Sequence, residues 1–373
     1  MFGGGRMTMR RDMTAPSAGG RTASRPALRP LGAFRDNPGN LAGHFYVPPG
    51  FDGPLPLVVV LHGCTQDAAG YDRGSGWSRL AARHGFALLF PEQQRANNPA
   101  LCFNWFTAGD SQRGMGEAAS IRSMIEAVRA LHAIDPERIF VTGLSAGGAM
   151  ASVMLATYPE TFAGGAIIAG IAYGCASGVA EAFDCMGGRA RSSAAELGRR
   201  VRRASPHKGP WPKISVWQGS ADRTVVPSNA DAIVLQWANL HGLDPKPSRT
   251  ETVDGYPRRV WTGRGGQELI EQYTITGMAH GTPLNPGTGE GEAGIAGAHM
   301  IDARISSTGR IAAFFGIAPA ETAAARPAKA KPARTGVARA PKASAGRTAH
   351  ARGSADGVQA VIEDALRAAG LMR

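Results

Sequence analysis

The feature that most constrains this chain is a rhythm of short apolar runs separated by segments of helical periodicity and broken by Gly and Pro. Leu57–Leu61 (LVVVL) and Phe86–Phe90 (FALLF) are too short and too uniformly apolar for surface helices, and read as fully buried strands. Ile139–Thr142, Ala166–Ala169 and Ile214–Trp217 repeat that pattern, and Glu271–Thr276 is strand-like. Between them, Glu117–His132 places Ile121, Met124, Ile125, Val128 and Leu131 at steps of three and four, ending at the Asp135-Pro136 turn. Ala146–Tyr158, Asn229–Leu240 and Met300–Phe315 are also expected to be helical. Strands alternating with helices predict an α/β fold, a mostly parallel sheet covered by helices on both faces. Residues 171–210, Gly-, Ala- and Arg-rich, interrupt the rhythm as a small insertion. It is expected at the carboxyl end of the sheet, where such folds bind ligands.

Charge divides the chain further. Residues 1–40 carry seven Arg against two Asp, and residues 322–353 carry eight Lys or Arg and no acid. The total of +12 therefore leaves residues 41–320 close to neutral. Basic, low-complexity segments at 1–40 and 319–353 cannot bury enough apolar surface to order themselves, and are expected to attract anionic surfaces without specificity. No basic stripe with interleaved aromatics marks the centre, so specific nucleic-acid binding is not expected. Residues 41–318 form the expected catalytic domain. The last segment, 354–373, is a short amphipathic helix with Val358, Val361, Ile362, Ala365, Leu366 and Ala369 on one stripe, suited to folding back or to docking on a polymer or protein. No apolar run reaches eighteen residues, so no transmembrane segment is expected, and no Sec signal is visible at the start.

Four residue groups carry chemistry. Gly143-Leu144-Ser145-Ala146-Gly147 has the G-x-S-x-G form of a nucleophile elbow, and it stands where one must, between a buried strand and an Ala-rich helix. His62-Gly63-Cys64 follows the LVVVL strand, where this architecture takes one oxyanion-hole amide; the backbone N–H groups of Cys64 and Ala146 are the expected pair. His62 itself is expected to hold that loop. Asp222 lies in a turn after the strand Ile214–Trp217, and His280 sits on a Gly-flanked loop after Tyr273–Thr276. The order Ser, acid, His is that of α/β-hydrolases. The expected chemistry is acyl transfer to Ser145, with His280 as general base oriented by Asp222. Neither a metal-ligand cluster nor a phosphate loop is present, so no cofactor is expected. The four cysteines permit two bridges, Cys64–Cys102 and Cys175–Cys185, or four buried thiols.

Taken together, Leu61–Gln66 (LHGCTQ), Pro91–Gln93 (PEQ), Cys102–Phe106 (CFNWF), Arg113–Ala118 (RGMGEA), Gly143–Met150 (GLSAGGAM) and Gly277–Gly281 (GMAHG) resemble the esterase family of poly(3-hydroxybutyrate) depolymerases over about residues 44–317. The resemblance implies hydrolysis of short-chain polyhydroxyalkanoate or related esters by a serine triad, with no cofactor and an extracellular setting. It implies a Cys64–Cys102 bridge and places the aromatic Trp105 near the active-site mouth, against the acyl chain or as a support for its loop. Feruloyl and acetylxylan esterases share the elbow, so plant polysaccharide esters are the alternative substrates. No recognisable polymer-binding module follows the catalytic domain, and a soluble oligomer or small ester stands beside the polymer. From another class, the basic tails allow a granule- or surface-tethered interaction protein.

Overall fold

The computed structural model describes Met1, residues 28–287, residue 289 and residues 292–319. The strands are β1 (Arg29–Pro30), β2 (Ala42–Tyr46), β3 (Leu55–Leu61), β4 (Ala87–Glu92), β5 (Ile134–Leu144), β6 (Gly164–Ile168), β7 (Lys213–Gly219), β8 (Arg249–Val253), β9 (Tyr256–Thr262), β10 (Glu268–Ile275), β11 (Thr282–Leu284) and β12 (Met300–Asp302). The helices are α1 (Ala68–Ser75), α2 (Trp77–His84), α3 (Ala108–Ser111), α4 (Gly116–Leu131), α5 (Ala146–Thr157), α6 (Val179–Met186), α7 (Ala194–Ala204), α8 (Ser228–His241) and α9 (Ser307–Phe315).

Ten strands form one sheet in the order β1-β2-β4-β3-β5-β6-β7-β10-β9-β8. From β4 through β10 every neighbouring pair is parallel. That requires crossovers, and the helices supply them on both faces. Every side chain of β3 is buried, as befits a strand covered on two sides. Leu57, Val59 and Leu61 belong to the core under α4, α5 and α8, while Val58 and Val60 belong to the core under α2 and α9. The alternation follows from the two-residue period of a strand. This is the α/β-hydrolase arrangement, with antiparallel strands added at each edge.

The structure departs from the sequence expectations in four places. Residues 28–40 are not unordered: β1 pairs with β2, Leu31 is buried, and Gly39 N donates to Ser120 Oγ at 2.8 Å. The Asp135-Pro136 turn survives as a bulge inside β5, because Ile134 pairs with Leu55 and Ile139 already pairs with Leu57. The helix expected from Met300 begins only at Ser307. Ser306 caps it by accepting from Gly309 N at 3.1 Å, and Met300–Asp302 pairs with β11 instead. The β8–β9 hairpin was hidden by its polar composition, although its Asp254-Gly255 turn, with φ of 51° and 89°, is a known hairpin signal. The segments 319–353 and 354–373, apart from Pro319, lie outside the described residues.

Among the described residues no helix is long and apolar enough to cross a membrane.

One ionic cluster ties this edge to the centre of the sheet. Arg258 bonds Glu251 and Glu268, and its Nε donates to Glu271 Oε2 at 2.7 Å. Ser215 Oγ donates to the other Glu271 oxygen at 2.7 Å, and Trp217 Nε1 donates to Ser215 Oγ at 2.8 Å. Glu271 is fully buried, and burial pushes its carboxyl above the usual range, while the Arg258 guanidinium opposes that. The cluster thus locks β7 to β10, the two strands whose carboxyl ends carry Asp222 and His280. Arg258→Ala should strand Glu271 in the core and lower the unfolding free energy by about 3–5 kcal/mol, read by denaturant unfolding. A change under 1 kcal/mol would show that the cluster is not holding this edge.

Candidate active site

Ser145 sits in the turn between β5 and α5 with φ 57° and ψ −118°, a region that side-chain-bearing residues rarely occupy. Neighbouring backbone imposes it. A Cβ on Gly143 would collide with the Gly147 carbonyl, and one on Gly147 with the carbonyls of Leu61 and His62. The elbow is therefore pressed directly against the end of β3, and Ser145 N donates to Ile168 O at 2.9 Å on the other side.

The acid and the histidine arrive on two loops bonded to each other. Ser220 N donates to Ile275 O at 3.0 Å, Ala221 N to Met278 O at 3.0 Å, and Gly277 N to Ser220 Oγ at 2.8 Å. Asp222 is buried, and its Oδ1 accepts from Thr224 N and Val225 N, both at 2.9 Å. Its Oδ2 accepts from Gln218 Nε2 at 3.0 Å and from His280 Nδ1 at 2.7 Å. On the far side of the ring, Ser145 Oγ donates to His280 Nε2 at 2.9 Å. The structure thus brings all three expected residues together. A hydroxyl, an imidazole and an acceptor-only carboxylate in this series can move one proton from Ser145 to His280 and stabilise the resulting charge.

Cys64 and Ala146 also lie at this point, lining the same cleft as Ser145. Neither backbone N–H donates to another described atom: Cys64 stands in the turn after β3, and Ala146 is the first residue of α5. His62 is occupied elsewhere. Its Nδ1 donates to Gly63 O at 2.7 Å, and its Nε2 accepts from Gln93 N at 3.1 Å. Burial holds its pKa below the ordinary value, which keeps that neutral tautomer.

Cys64 is bonded to Cys102 and Cys175 to Cys185, so the alternative of four buried thiols does not apply. The first bridge joins the turn after β3 to the CFNWF loop. Trp105 of that loop is half-buried, stands edge-on to Phe106 with ring centroids 5.4 Å apart, and faces the cleft beside Ser145. The cleft is open at its mouth and walled mainly by apolar side chains.

Two supports were not foreseen. His299 Nδ1 donates to His280 O at 3.2 Å and its own carbonyl accepts from Thr282 N at 2.8 Å, so it brackets the histidine loop. No local signal distinguishes it from a surface histidine. The second is Glu117 at the start of α4, buried although it heads an amphipathic helix. It accepts from Gln93 Nε2 at 2.5 Å, Asn104 N at 2.8 Å and Asn104 Nδ2 at 2.9 Å. Gln93 Nε2 also donates to Cys102 O at 2.9 Å, so Glu117 anchors the loop that carries Cys102 and Trp105. All three residues lie in the conspicuous PEQ, CFNWF and GMGEA blocks, but nothing in those blocks says that they meet. Among the described residues no group of three or more His, Cys, Asp or Glu is placed to hold a metal ion.

Two outcomes follow from these supports. Burial, helped by the Asp110 carboxylate, raises the Glu117 pKa to about 8 against the three donated hydrogen bonds. The folded state then keeps a proton that the unfolded chain releases near the ordinary value of 4.5. This contribution to stability is complete below about pH 4.5 and is lost as pH rises to about 8. Glu117→Gln should remove a decline of about 1 kcal/mol per pH unit across that window, read as unfolding free energy against pH for both proteins; parallel curves would refute it. Replacing Cys64 and Cys102 together by Ser should cost about 4 kcal/mol or less, from the loop of separation 38 that the bridge closes. Equal melting temperatures would contradict that.

Comparison with known proteins places the chain among esterases. Residues 41–251 match the family described as Esterase PHB depolymerase. The chain is 49% identical over 292 residues to poly(3-hydroxyalkanoate) depolymerase C of Paucimonas lemoignei, covering 78% of this chain and 70% of that protein. It is 34% identical over 263 residues to an acetylxylan esterase of Coprinopsis cinerea, covering 69% of each. Among solved structures, an acetyl xylan esterase from Aspergillus awamori superposes with a TM-score of 0.63 at 27% identity, covering 68% of this chain and 94% of that one. A seryl elbow on an α/β-hydrolase sheet, matched over most of its length by esterases, places the chain in the esterase PHB depolymerase family, as a carboxylic ester hydrolase.

Proposed function

We propose that the chain hydrolyses poly(3-hydroxybutyrate) or its oligomers through Ser145, His280 and Asp222. The observation that carries this reading is the His280 ring bonded to Ser145 at 2.9 Å and to Asp222 at 2.7 Å, in a chain 49% identical to a poly(3-hydroxyalkanoate) depolymerase. Ser145 Oγ attacks the ester carbonyl carbon as its proton passes to His280 Nε2. The oxygen that gains the electron pair is held by the N–H groups of Cys64 and Ala146, each worth about 3 kcal/mol in the transition state. Collapse breaks the bond to the alcohol oxygen, which takes the proton from His280 and leaves. Water, giving a proton to His280, attacks the acyl carbonyl carbon; collapse then breaks the bond to Ser145 Oγ, which takes that proton from His280 as the carboxylic acid leaves. Asp222 accepts from Nδ1 throughout, fixing the tautomer and stabilising the imidazolium.

Residues 41–318 form the catalytic unit in this reading. Two disulfides suit an oxidising compartment and favour action outside the cell. The basic segments add long-range attraction to an anionic particle surface.

Ser145→Ala and His280→Ala should each lower kcat by a factor on the order of 10⁴ or more, and the double variant should be no worse, since the groups act as a unit. Assays on p-nitrophenyl butyrate, a poly(3-hydroxybutyrate) suspension, methyl ferulate and acetylated xylan separate the substrates. Release of 3-hydroxybutyrate or its oligomers is the expected result; release of ferulate or acetate with the polyester untouched would overturn the substrate. Retained activity in Ser145→Ala would remove the nucleophile.

A further inference from the structure

The insertion after β6 contains a helix whose apolar face is only partly covered. In α6, Val179, Ala182, Phe183 and Met186 recur at steps of three, one and three, the spacing of one helical face, and all four line the cleft. Val179, Phe183 and Met186 are only half-buried, and Met186 also packs against the small buried cluster of Ala149, Ile171, Cys185 and Val225. The helix is tied at both ends. Ser177 N and Oγ donate to Glu181 Oε2, each at 2.7 Å. At the other end Cys185 is bonded to Cys175, and Met186 O accepts from Val226 N at 3.0 Å and from Asn229 Nδ2 at 3.1 Å. Val226 follows the turn that carries Asp222, so the position of α6 is set relative to the acid.

The chemistry assigns this wall to one side of the ester. Resting on the proposed roles of Ser145 and His280, the leaving alcohol oxygen must lie within reach of His280 Nε2. The carbonyl oxygen must point to Cys64 and Ala146. The α6 cleft is lined by Ser145, Cys64 and Ala146 but not by His280. The substituent remaining on the carbonyl carbon, the acyl chain, is therefore the one directed into it.

We propose that α6 is the specificity-determining wall for the acyl group, with Phe183 and Met186 setting the chain length accepted. Trp105 and Val225 line the same cleft, and the expected occupant is a short chain such as a butyryl or 3-hydroxybutyryl unit. A hydrophobic wall of this kind discriminates by about 10-fold or more per methylene that has to be forced in.

The test measures kcat/KM of the full chain on p-nitrophenyl esters from acetate to octanoate, and on butyrate esters of alcohols from methanol to hexanol. Met186→Ala and Phe183→Ala should raise octanoate relative to butyrate by about 10-fold. Ala182→Val, which narrows the wall, should shift the preference towards acetate, an opposite change that general unfolding cannot mimic. Thermal unfolding of each variant checks that it is folded. Unchanged acyl profiles in folded variants would overturn the proposal, and so would a shift in the alcohol series with the acyl series unmoved. Wild-type inactivity on every ester would instead overturn the serine chemistry, and the wall's role with it.

Discussion

The backbone strain at Ser145 depends on the close approach of three chain segments, the end of β3, the end of β5 and the start of α5. Only glycine at 143 and 147 lets these segments touch, because the carbonyls of Leu61, His62 and Gly147 occupy the space a Cβ would need. Once they touch, the seryl hydroxyl projects from the carboxyl edge of the sheet, beside the first N–H of α5 and the turn at Cys64. A hydroxyl on a relaxed helix cap would bond its own backbone instead. The positive φ is the cost of turning that side chain outward, and the surrounding packing sustains it.

Everything else at the site is arranged to meet that hydroxyl. The strands β7 and β10 are parallel neighbours, so the loops leaving their carboxyl ends emerge side by side and bond to each other. The Arg258–Glu271–Ser215 cluster fixes the same two strands from within the sheet. On the opposite side the Cys64–Cys102 bridge and the Glu117 network hold the turn whose amide faces the reacting carbonyl in the proposed mechanism. The site thus stands between two independently braced walls, one ionic and one covalent, with His299 steadying the histidine loop.

The relatives this chain matches are named for different esters, a polyhydroxyalkanoate, acetylxylan and feruloyl esters. Differences in substrate are therefore expected where the fold has an insertion instead of a sheet strand or crossover helix. Here that place is the segment between β6 and β7, which supplies one wall of the cleft. Within it α7 packs Leu197 and Val201 into the main core, whereas α6 is held by a disulfide, terminal hydrogen bonds and the packing of Met186 on a small buried cluster.

Much was legible without coordinates. The strands LVVVL, FALLF and ISVW follow from uniform apolarity between breakers, and the elbow, acid turn and histidine loop each carry a local pattern of glycines after a strand. These are short-range properties, set by sterics and by the two- and three-to-four-residue periods of strand and helix. Residues whose role is a long-range contact were not legible. Glu117 looks like an ordinary polar residue at a helix start until Gln93 and Asn104 are brought onto it, and His299 looks like a surface histidine until its loop folds beside residue 280. The polar hairpin β8–β9 is a strand pair because Arg258 finds three carboxylates, two of them outside the hairpin. The four cysteines permitted either bridges or free thiols, because a disulfide is a statement about distance. The chain alone determined the fold class and which residues are expected to carry the chemistry; tertiary structure decided that these residues meet, which groups support them and which helix walls the cleft, since those depend on contacts between segments far apart in sequence.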